Sequence, residues 1–149
     1  MIHPQRIFHF TILLFLFVSC SSNKSDKYFG GKKIHFVEFC DLPKYKNEIV
    51  ITEFYYTGFV EYWWIYNKQK QCELGNQTNL TFQDYNSIPK KFKNIIDKQS
   101  NYEILKITAI GKYDDSNLNG YGHSGNNQSE LTTIEIVKLE KKGKWTPKN

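Results

Sequence analysis

The side chain best suited to chemistry is His123, set in Gly120-Tyr121-Gly122-His123-Ser124-Gly125. Three glycines around one histidine allow positive φ and close backbone approach. An imidazole so placed could move protons or contact a ligand. Two acids nearby in the chain, Asp115 and Glu130, are candidate partners for general acid–base work in a loop-lined cleft. In the competing reading the ring bonds a backbone group and only pins the loop. A ring open to a cleft and within reach of a carboxylate would favour chemistry, and a ring capped by backbone would exclude it. No serine or cysteine nucleophile stands in a recognisable motif, so no catalytic residue is assigned.

Aromatic density is the second signal. Tyr55, Tyr56, Phe59, Tyr62, Trp63, Trp64 and Tyr66 fall within twelve positions. Alternate residues of a strand face opposite sides, so Trp63 and Trp64 cannot both enter a core. Tyr62, Trp63 and Trp64, with Tyr121 and His123, form a candidate binding surface that could stack on sugars or on a peptide. The alternative is that a helix, a loop or the N-terminal tether covers the second face. Metal binding is not expected. Beyond the leader only His35 and His123 remain, there is no CxxC spacing, and Asp114-Asp115 lacks the spacing of an EF-hand. No cofactor is implied. Three sequons, at Asn76, Asn79 and Asn127, follow from an asparagine-rich composition.

The third signal is Cys20. Met1 to Arg6 is a short basic start, and Ile7 to Val18 is an apolar stretch of twelve residues. Spanning a bilayer takes about 20 apolar residues, so this length fits the hydrophobic region of an export signal. Phe17-Val18-Ser19-Cys20 resembles the lipobox of bacterial lipoproteins, with Phe17 in place of the usual leucine. The resemblance implies cleavage before Cys20, fatty acyl groups on that residue, and attachment to a membrane of the bacterial cell envelope. Each buried methylene is worth about 0.8 kcal/mol, so two or three chains anchor durably where one does not. Ser21 is compatible with sorting to the outer membrane. The alternative is an ordinary secretory signal that happens to contain a cysteine.

Removal of residues 1–19 leaves 130 residues, enough for one domain with its own core. Arg6, the only arginine, is lost with them, leaving 19 lysines against 15 acids. Nucleic-acid binders rely on the planar fork of arginine, so a mild lysine excess reads as a solvated surface and argues against that partner. With Cys20 acylated, Cys40 and Cys72 remain, and an oxidising compartment favours their pairing over two buried free thiols. Closing that loop of about 33 residues is worth roughly 3–4 kcal/mol in the chain-entropy model.

These groups need a scaffold. Residues 20–33 read as a flexible tether, 34–140 as the domain and 141–149 as a tail, with fraying from Glu140. Val37 to Tyr45 reads as a short helical turn, capped by Asp41 with Pro43 in its first turn. Ile49 to Phe59 is a strand with a bulge or bend at Gly58, and Val60 to Tyr66 is a second. Asn67 to Gly75 is a polar connection, and Thr78 to Phe82 a third strand. A helix starts with Asn86 or Ser87 as cap and Pro89 in its first turn, and carries an apolar stripe of Ile88, Phe92, Ile95 and Ile96. Tyr102 to Tyr113 is a long strand, Asp114 to Ser129 a polar loop, and Leu131 to Leu139 the last strand. The order β-β-β-α-β-β is that of an OB-like β-barrel, mainly β with one helix. A generic α+β sheet fits almost as well.

Three stretches resemble an uncharacterised family of small bacterial exported proteins. They are Cys40 to Val50, Gly58-Phe59-Val60-Glu61 leading to Cys72, and the Gly120 to Gly125 turn, where Ser124 stands at a position often held by leucine. The resemblance covers about Phe36 to Leu139. It implies a barrel-like fold and no particular activity. The expectation is a lipid-anchored, non-catalytic binding or interaction module of the envelope with a protein or glycan partner. The alternative is a small hydrolase-like or ligand-processing enzyme using His123.

Overall fold

The computed structural model describes residues 27–68, 72 and 78–146. Cys20, the expected leader at 1–19 and Asn76 lie outside them. Lys27 to Lys33, expected to belong to the tether, already form regular structure ahead of the expected start near Ile34. Two short strands, β1 (Lys27–Phe29) and β2 (Lys32–Ile34), form a hairpin around Gly30-Gly31. Both glycines hold positive φ, +56° and +77°, which is why this pair turns the chain instead of loosening it. Phe29 and Ile34 are large enough to fix the hairpin. They pack with Ile51, Ile110 and Val137 in a small apolar cluster.

A 3-10 turn over Phe39–Tyr45 follows. Phe39 and Leu42 are fully buried in the main core, and Phe39 lies 6.5 Å from the Phe54 ring. The N-cap position belongs to Glu38 and not to Asp41, whose carboxylate pairs with Lys44 at 2.7 Å.

Five strands close a barrel: β3 (Ile49–Phe59), β4 (Tyr62–Tyr66), β5 (Thr78–Phe82), β6 (Glu103–Asp114) and β7 (Ser129–Lys144). Their order around it is β3-β4-β5-β7-β6, and β6 returns to β3. The β5–β7 pair is parallel and the others are antiparallel. This is an OB-like barrel, so the generic sheet gives way to closure. Val50, Phe54, Ile65, Leu80, Leu105, Ile107 and Leu131 fill it. Side chains alternate along β6: Leu105, Ile107 and Ala109 enter the core, while Lys106 and Thr108 do not. Register shifts between β6 and β7 bend the long strands, as closing a small barrel requires.

Helix α1 (Lys90–Asp97) starts later than expected. Asp84 caps a separate 3-10 turn, Tyr85–Ser87, by accepting the Asn86 N–H, and Pro89 takes the N-cap position of α1. The stripe read from the sequence is the face that docks. Ile88, Phe92, Ile95 and Ile96 pack against the main core. The C-terminal end also differs from expectation. Residues from Glu140 to Lys144 do not fray but continue β7, pairing Lys141 with Leu105 and Lys144 with Glu103. Leu105 is fully buried, so lysine-rich composition misled where the partner strand decides.

Candidate ligand-binding cleft

Val60-Glu61 is a two-residue turn from β3 to β4, so β4 begins at Tyr62 and not at Val60. Such turns favour asparagine and glycine because they need positive φ. Here Val60 holds φ +56°, a strained conformation for a β-branched residue. Two bonds enforce it. The Val60 N–H donates to Asn101 Oδ1 at 3.2 Å, and its carbonyl accepts the Trp63 indole N–H at 2.8 Å.

Alternation along β4 then sorts the aromatic strip. Ile65 is fully buried in the barrel, which puts Trp63 on the inward side at the rim. Its ring lies 5.4 Å from that of Tyr56 and over Gly58, its partner in register. A Cβ on Gly58 would stand 2.6 Å from Trp63 Cε3. Gly58 is therefore a seat for the indole and not a bend. Tyr62 and Trp64 take the outer side. Ile65 pairs with Thr78, so one step along the antiparallel register Trp64 stands beside Asn79 of β5. Asn79 donates to Glu130 Oε2 at 3.0 Å.

The loop over 115–128 braces itself. Tyr121 and Asn127 exchange backbone bonds at 2.8 and 3.1 Å, the Asn117 N–H donates to the Tyr121 hydroxyl at 2.9 Å, and the Asn117 amide donates to the Gly120 carbonyl at 2.7 Å. Gly120 and Gly122 hold φ +78° and +71°. A Cβ on Gly122 would meet Asn127 Nδ2 at 2.7 Å and Asn79 Oδ1 at 3.0 Å, so only glycine lets the loop lie this close to β5. That placement carries His123 across to the Val60-Glu61 turn. His123 Nε2 is 3.2 Å from Glu61 Oε2, with both side chains more than half exposed.

Between the turn and the loop lies a cleft of about 360 Å³. Tyr62, Trp63 and Trp64 line it from β4, with Tyr56 from β3 and Asn79 from β5. Glu61, His123, Asn126 and Asn127 line it from the two loops. Burial pushes the Tyr56 phenol up to about 12, with a smaller contribution from Tyr85, so it stays a neutral hydrogen-bond donor at physiological pH.

Four of the five candidate surface residues thus meet in one place. The fifth, Tyr121, does not line the cleft and instead braces the loop. The acids proposed from the sequence are engaged elsewhere. Glu130 accepts from Asn79 and Thr132, and Asp115 pairs with Lys46. The carboxylate beside His123 is Glu61, which stood next to the aromatic strip in the sequence and could have been weighed there. The asparagines carried no such signal in an asparagine-rich chain. Cys40 and Cys72 are bonded to each other, and His35 contributes its backbone carbonyl to Ile51. Among the described residues no group of three or more His, Cys, Asp and Glu could hold a metal, and no helix is long and apolar enough to cross a membrane. Comparison with protein-family models, curated proteins and solved structures finds no match for this chain.

Proposed function

We propose that this protein is a lipid-anchored module of the bacterial cell envelope, of the exported family it resembles, that binds a partner non-catalytically in the cleft. The carrying observation is the convergence of two distant segments, the aromatic strip of β4 and the glycine-rich His123 loop, on one cavity. In OB-like barrels the face of the second and third strands and the loops after strands one and four serve ligands. Here those are β4, β5, the Val60-Glu61 turn and the 115–128 loop. The anchor rests on the Phe17 to Cys20 motif. A photo-crosslinker at position 62 should give a discrete adduct in intact envelopes, and one at exposed Lys112, outside the cleft lining, should not. Adducts from neither position, or equally from both, would defeat the binding reading. Lipid labelling retained by Cys20→Ser would defeat the anchor.

The Glu61–His123 contact favours a second reading, general acid–base catalysis, because an imidazole open to a cleft has a carboxylate within reach. Binding is preferred because both groups are solvated and no serine, threonine or cysteine stands among the described residues that line the cleft. Recovery of a chemically altered ligand from the wild type, and of the intact one from His123→Asn, would establish catalysis instead.

A further inference from the structure

The geometry points to an uncharged oligosaccharide as the ligand class of this cleft, an inference that rests on the cleft being a binding site. The first ground is charge. Among the described residues no lysine lines the cleft, although the chain is lysine-rich. A phosphate-bearing or otherwise acidic ligand would meet Glu61 there and none of the described lysines, and phosphate recognition is dominated by lysine and arginine. A cationic peptide fares little better, since among the described lining residues Glu61 is the single carboxylate that could answer its charges.

The second ground is shape. Tyr62 and Trp64 sit at i and i+2 on one face of β4, about 6.5–7 Å apart along the strand. They offer a strip of rings, and Trp63 lines the cleft from the barrel rim, packed against Tyr56. A strip of this kind suits the apolar faces of successive sugar rings. A quaternary ammonium instead needs rings gathered around one point. The third ground is the wall opposite. Asn126 and Asn127 from the loop, with Asn79 beside Trp64, add carboxamides that both donate and accept, as vicinal hydroxyls require. At about 360 Å³ the cleft lies near the lower end of small-ligand sites, which run from about 300 to 1,000 Å³, so it has room for a short oligosaccharide segment only.

The test uses the full-length chain in detergent micelles and follows the three indole N–H signals by NMR. Probes are cellotetraose, maltotetraose and chitotetraose as neutral glycans, a heparin tetrasaccharide, tetralysine and a thymidine dodecamer. The expected result is a saturable shift of the Trp64 signal with at least one neutral glycan, with Trp145 unmoved. Trp64→Ala, with an otherwise native spectrum, should weaken that affinity by about tenfold or more. Shifts of Trp64 only with tetralysine, heparin or the oligonucleotide would overturn the neutral-glycan assignment and leave the binding reading standing. Silence with every probe would also overturn the assignment, and the crosslinking at position 62 would then judge the binding reading on its own.

Discussion

Gly120 is the position where one added methyl should dismantle the cleft while sparing the barrel. Its φ of +78° costs an alanine about 1–2 kcal/mol. The new Cβ would also stand 2.8 Å from the Gly125 carbonyl carbon and 3.1 Å from the Asn127 oxygen. Both are backbone atoms, so relief requires the loop itself to move. The loss is nonetheless bounded, because no residue of 115–128 is buried and the loop can undock locally. Gly120→Ala should therefore lower the stability read from urea unfolding by about 1–3 kcal/mol and shift the His123 and Trp64 signals. Gly31 supplies a matched control. Its φ is +77°, and nothing lies within 4 Å of a Cβ built on it. Gly31→Ala should show the conformational cost alone, about 1–2 kcal/mol, and leave His123 and Trp64 where they are. The reasoning fails if Gly120→Ala leaves those signals in place, or if Gly31→Ala moves them as much.

Reduction of Cys40–Cys72, separated by 32 positions, should cost roughly 3–4 kcal/mol in urea unfolding, and Cys40→Ser should cost about the same; a loss below about 1 kcal/mol would remove the entropic account. Val60→Asn should raise stability by about 1 kcal/mol, because asparagine tolerates the φ of +56° that strains valine, and a drop in melting temperature would show the turn is not strained as described. Lys138 and Lys142 hold the exposed Glu140 carboxyl down at about 2, from an ordinary 4.5. Its contribution is thus present above about 4.5 and lost as pH falls toward 2, and carboxyl NMR should find the low midpoint in the wild type and an ordinary one in a Lys138→Met/Lys142→Met variant. Truncation after Leu139 should cost about 2 kcal/mol or more, since it removes the pairing to Leu105 and the 2.7 Å bond from Trp145 N to the Tyr102 carbonyl; a neutral result would restore the frayed tail.

Elements whose stabilising contacts are local in pattern were legible. The β-branched and aromatic run from Ile49 to Phe59 and the helical spacing of Ile88, Phe92, Ile95 and Ile96 are local signals, and the structure forms a strand from the first and docks the stripe of the second. Boundaries decided by a distant partner were not. Glu140 to Lys144 read as tail because lysines are common in tails, yet β6 supplies the ladder that orders them. Val60 read as strand because valine favours strands, yet Asn101, forty-one positions away, helps hold it in a turn. The site divides in the same way. Aromatic density and the glycines around His123 are compositional signals and marked the two segments that meet at the cleft. The acid beside His123 was sought among its chain neighbours, whereas barrel closure brings Glu61 to it from the other side of the cleft.

That contact bears on how the cleft works. Even full ion pairs at exposed positions contribute only about 0–1 kcal/mol, so the exposed Glu61–His123 contact is too weak to hold the two segments together. Nor is it needed for that. The Val60 turn is held by Asn101 and Trp63, and the His123 loop by the Tyr121–Asn127 pair and Asn117. The pair instead joins two self-supported walls at one point. A ligand that slides between them breaks only this contact, at small cost, and finds both groups available as hydrogen-bonding partners. Rigid walls with a weak closure keep the cleft preorganised and still accessible, which favours reversible capture of a chain segment over the enclosure that chemistry on a buried atom would need.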